Sequence, residues 1–88
     1  MKDIIKPVIE SIPKGMIFDT HMVIEYLLQN NSDEYLQNCE QRSTLSYHGY
    51  IGQKIDEIAK EGLAKKIGKS WSLNIHKSFS ECTCWEKL

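Results

Sequence analysis

Residues 55–71 read Ile-Asp-Glu-Ile-Ala-Lys-Glu-Gly-Leu-Ala-Lys-Lys-Ile-Gly-Lys-Ser-Trp, and the spacing of apolar positions changes inside this stretch. Before it, Tyr47, Ile51, Ile55, Ile58 and Ala59 recur at helical spacing. They form one stripe along a helix predicted over 46–61. Gly62 then stops the helix, because glycine tolerates the left-handed dihedrals of a C-terminal cap. After Gly62 the period falls to two. Leu63 and Ile67 bracket Ala64-Lys65-Lys66, and Trp71, Leu73 and Ile75 alternate with Ser72, Asn74 and His76. Gly68-Lys69-Ser70 lies between these runs and predicts a β-hairpin with lysine at its tip.

Working outward, Ile4, Ile5, Val8, Ile9 and Ile12 make an apolar face and predict a first helix over 2–12, ended by Pro13-Lys14-Gly15. Met16-Ile17-Phe18 is too short for a helix and reads as a small strand. Asp19 or Thr20 caps a second helix near 20–30, whose core face is Val23, Ile24, Leu27 and Leu28. Asn30-Asn31-Ser32 breaks it, and a third short helix is expected around 33–40. Residues 77–88 lack a period and read as a tail laid back on the domain, anchored by Trp85 and Leu88. Trp71 is expected to cover the inner face of the hairpin as part of the core.

The chain has 88 residues, 41% of them hydrophobic and 26% charged, the size and balance of one globular domain. No apolar run approaches the ~18 residues of a membrane span. The first residues carry an acid and a second lysine where a signal peptide keeps its apolar region. The three cysteines are odd in number, and Cys82 and Cys84 are too close for an ordinary disulfide. A cytoplasmic location and no membrane contact are therefore expected. Formal charge is −1 overall but uneven: −4 over residues 1–40, +4 over 41–80 and −1 over 81–88. Such asymmetry bears on partners rather than on fold.

The succession of helix, short strand, helices, Gly62 and a lysine-bearing hairpin resembles a winged helix-turn-helix domain. There a recognition helix ends at a glycine, and strand, wing and strand follow. The resemblance covers residues 2–76 as a pattern, and its specific part is the helix–glycine–hairpin run. Residues 31–45 add a short helix and a polar loop before the recognition helix. The resemblance implies a small α+β fold of three or four helices with a C-terminal β-hairpin wing. It also implies a non-enzymatic role in transcription, with double-stranded DNA as partner.

On that reading helix 46–61 lies in the major groove. Ser46, Tyr50, Gln53 and Lys54 would meet DNA, glutamine suiting adenine edges and hydroxyls suiting phosphate. Gly49 and Gly52 would let the backbone approach closely. Asp56, Glu57 and Glu61 repel phosphate and confine insertion to the first half of the helix. Lys65, Lys66 and Lys69 on the wing would contact phosphates as point charges, helped by His76, Lys77 and Arg42. Lysines on edge strands also serve to block sheet-to-sheet pairing.

Other chemistry has thinner support. Cys39, His76, Cys82 and Cys84 contain the right atoms for zinc, but a CxC pair is poorly spaced for it, so no metal or other cofactor is expected. The histidines are dispersed, and no activated nucleophile or phosphate-binding loop is present, which argues against an enzyme. The competing reading is a protein-docking module on the same scaffold. Its acidic first half and Tyr26, Tyr35, Tyr47, Tyr50 and Trp85 are typical of interfaces. A homodimer through helix 2–12 and the tail is a further expectation.

Overall fold

The isoleucines of the first stripe do form a buried face. Helix α1 (Lys2–Ser11) places Ile5, Val8 and Ile9 in the core. Pro7 lies inside this helix, where it forfeits one backbone hydrogen bond. The computed structural model describes residues 1–39 and 44–88. Strand β1 (Ile17–Asp19) leads directly into helix α2 (Thr20–Asn30). Asp19 is the N-cap, its carboxylate accepting the Met22 N–H at 2.9 Å. Helix α3 (Ser32–Cys39) and helix α4 (Thr44–Ile58) follow, and one π-helical turn (Ala59–Leu63) joins α4 to the sheet. Gly62 has φ +98° there, the left-handed conformation expected of it.

The stripe read on α4 is the centre of the fold. Tyr47, Ile51, Ile55 and Ile58 are fully buried, and Ala59 nearly so. They pack with Ile5 and Ile9 of α1, Ile24 and Leu27 of α2, and Phe18 of β1. Tyr35 of α3 meets Tyr47, ring centroids 4.9 Å apart, and the Tyr47 hydroxyl donates to the Tyr35 carbonyl at 2.6 Å.

Three expectations fail in the hairpin. Gly68-Lys69-Ser70 is not a turn. Strand β2 runs unbroken from Ala64 to Leu73, and the register shifts between Lys66 and Gly68. Gly68, at φ +140°, serves a β-bulge, a second use of the same conformational freedom. The tip lies at residues 74–78, where the Asn74 side-chain carbonyl accepts the N–H groups of His76 and Ser78. Lys77 takes φ +65° there.

Nor are residues 77–88 a tail. Phe79–Lys87 is strand β3, the middle strand of an antiparallel sheet ordered β1-β3-β2. Only its inner end is covered on both faces, where the neighbours Cys84 and Trp85, which point to opposite sides, are both buried. Leu88 is half exposed, and it is its backbone N–H that is held, by the Leu63 carbonyl at 3.0 Å.

Finally, Trp71 is not core. It is 70% exposed, whereas Trp85 is fully buried. Trp85 stands opposite Phe18 and Lys66 near the base of the sheet, under the helices. Trp71 lies on the same face farther out, beyond their reach. The result is a small α+β fold with four helices and a three-stranded antiparallel sheet among the described residues. No described helix is long and apolar enough to cross a membrane.

Candidate nucleic-acid interface

A groove of about 650 Å³ runs between α4 and the hairpin. From α4 it is lined by His48, Gly49, Gly52, Gln53 and Asp56, and from β2 by Lys66 and Lys69. Glu81, Thr83 and Trp85 of β3 face it, and Thr20 and His21 of α2 close one side. The helix predicted to enter DNA and the strand predicted to touch its backbone thus share one concave surface. Gln53, Lys66 and Lys69 come together there.

His76 at the hairpin tip lines it too, whereas the remaining side chains expected at DNA do not. Tyr50 is half-buried against the core, and the Lys54 ammonium lies 5.1 Å from its ring centroid and 3.0 Å from Glu57. That pair sits off the groove because positions 50 and 54 are one turn apart on a flank of α4. Ser46 is exposed but does not line the groove. Lys65 does not either, since it neighbours Lys66 on a strand and so points to the other face. Arg42 lies outside the described residues.

Charge is arranged unevenly. Lys2 and Lys6 pair with Glu61, Lys54 with Glu57 and Lys60 with Asp56. Lys66 and Lys69 have no acidic partner among the described residues. Asp56 and Glu81 line the same groove, as do His21, His48 and His76. Burial holds His48 below the ordinary imidazole value, and the charges of His21 and His76 lower it further. Its Nε2 lies 3.0 Å from the Tyr35 hydroxyl. At the floor, the indole Nε1–H of buried Trp85 has no acceptor among the described residues.

A polar cluster adjoins the groove and was not anticipated. Ser70 donates to the Asp19 carboxylate at 2.8 Å, and Ser72 lies 2.7 Å from His21 Nδ1. Ser80 is 3.4 Å from His21 Nε2. Cys82 Sγ is 3.9 Å from the Ser70 hydroxyl and 3.8 Å from that of Ser72. Of the four metal ligands considered from sequence, Cys82 belongs to this cluster. His76 is at the hairpin tip, Cys84 is buried, and the Cys39 side chain is outside the described residues. The available signal was Ser70, Ser72, Ser80 and Cys82, polar residues at period two on strands whose partner was unknown.

Comparison with protein-family models, with curated proteins and with solved structures finds no match for the chain.

Proposed function

We propose that the chain is a winged-helix domain that binds double-stranded DNA. In this reading α4 enters the major groove and the β2–β3 hairpin lies along the phosphate backbone. One observation carries it: the groove that joins Gln53 of α4 to Lys66 and Lys69 of β2, which have no acidic partner among the described residues. The topology supports it as well. A short strand, β1, adds to the second strand of the hairpin, and the helix before the hairpin ends at a left-handed glycine. Gln53 reads base edges, and the two lysines hold phosphates. Asp56 and Glu81 oppose them, so the binding is of modest strength and weakens as salt rises.

The test is fluorescence anisotropy with duplex DNA at ~50 and ~200 mM salt, a range over which phosphate-driven affinity collapses. With two phosphate contacts a fall of about tenfold is expected, and Lys66→Ala with Lys69→Ala should flatten the salt slope by ~2 and so remove it. No binding at the lower salt, or an unchanged slope in the double variant, overturns the reading.

A second reading rests on a different observation. Trp71 and Phe79 are 70% and 61% exposed, and Leu73, opposite Phe79, is 45% exposed. This apolar strip on the outer hairpin suits a protein partner. Binding through it would be insensitive to salt and lost in Trp71→Ala.

A further inference from the structure

The face of β3 opposite Trp85 carries Ser80, Cys82 and Cys84, and Ser72 and Ser70 stand beside the first two on β2. Over this face lies the start of α2, with Asp19 as its cap and His21 in its first turn. A carboxylate oxygen of Asp19, a ring nitrogen of His21 and the sulfur of Cys82 all lie within 4.8 Å of one another. We propose that these three residues bind a divalent transition metal ion, Zn²⁺ above all.

The donor set selects the ion. Thiolate, imidazole and carboxylate together suit zinc, whereas Mg²⁺ and Ca²⁺ require oxygen ligands. Zinc bonds of ~2.0–2.3 Å require only a modest contraction of the cluster. The ligands sit on stiff elements, the middle strand of the sheet and a capped helix start. Asp19 and His21 each have outer partners as well. Ser70 and the Met22 N–H orient the Asp19 carboxylate, and each ring nitrogen of His21 faces a serine. Whichever nitrogen takes the metal, the other keeps a serine, the arrangement that raises a ligating histidine's basicity.

The charges balance. Zn²⁺ with one thiolate and one carboxylate is neutral, a state that a mostly buried site tolerates. Uptake by the reduced protein releases the Cys82 thiol proton to solvent and oxidises nothing. His21 and Cys82 also line the groove, so the ion has a route from solvent, and its fourth position falls to water or to a group within the groove.

The full reduced chain should be titrated with Co²⁺ and then with Zn²⁺. A thiolate-to-cobalt charge-transfer band in the near ultraviolet is expected, saturating at one ion per chain and erased by Zn²⁺. Cys82→Ser should abolish the band, and Cys84→Ser should keep it. In the unaltered protein Zn²⁺ should protect Cys82 from iodoacetamide, read by mass mapping, which decides the matter should Cys82→Ser fail to fold. No band in excess Co²⁺, a band that survives in folded Cys82→Ser, or unprotected Cys82 overturns the proposal. Neither readout involves DNA, so the result is independent of the proposed function.

Discussion

Phe18 and Trp85 stand opposite each other across β1 and β3, with ring centroids 5.7 Å apart and planes 21° from parallel. This stack joins the shortest strand to the middle one and seals the sheet against the helices. Trp85→Ala should cost ~3–5 kcal/mol through the lost transfer energy and the cavity left behind. Trp71→Ala, on the same face but in solvent, should stay within ~0.5 kcal/mol. Urea denaturation of both variants checks the contrast, and equal losses would mean that the two tryptophans are not so divided.

Two neighbours on α4 should behave differently toward DNA. Gln53 lines the groove, whereas Lys54 is held by Glu57 and the Tyr50 ring. Gln53→Ala should reduce discrimination between duplex sequences by ~1–3 kcal/mol. Lys54→Ala should change affinity little. Anisotropy titrations against a panel of duplexes separate the two, and a larger loss for Lys54→Ala would move the interface to the other flank of the helix.

Two glycines should respond to alanine with opposite signs. Gly62 has φ +98°, so a Cβ there costs about 1–2 kcal/mol from backbone strain alone. Gly49 is an exposed interior position of α4, where a Cβ meets nothing. Gly49→Ala should therefore stabilise the fold by up to ~1 kcal/mol through helix propensity. The same change should weaken DNA binding if the backbone approaches the duplex at that point. Thermal melts and binding titrations of the two variants give both readings.

Acid should destabilise the fold through His48. Burial, then the charges of His21 and His76, hold its folded value below the ordinary 6.5. As pH falls through 6.5 the unfolded chain takes up a proton before the folded one does, so stability declines there and is unaffected by this group above it. His48→Gln should flatten that part of the stability–pH curve, measured by urea denaturation across the mildly acidic range. A curve of unchanged slope would remove His48 as the cause.

Much of the helical part was legible because its signals are local. The stripe Tyr47, Ile51, Ile55, Ile58 and Ala59, the Asp19 cap and the stop at Gly62 each follow from a few neighbouring residues, and each stands in the structure. So does the small strand, shifted by one residue to Ile17–Asp19. For the candidate site, Gln53, Lys66 and Lys69 follow from pattern and share the groove, whereas Tyr50 and Lys54 lie on a flank of α4 away from it.

What only the tertiary structure decided lies between distant residues. Gly68 reads as a turn until β3 is present to pair on both sides of it, and then it is a bulge. Trp71 and Trp85 are equally apolar, and the reach of α1, α2 and α4 over the sheet determines which one is buried. Asp19, His21 and Cys82 are separated by more than sixty positions at the extremes, and pairing of β3 between β1 and β2 brings them together. Helical periodicity and caps are short-range properties that a sequence displays directly. Strand partners, and the side chains that meet across them, depend on long-range closure that no local pattern encodes.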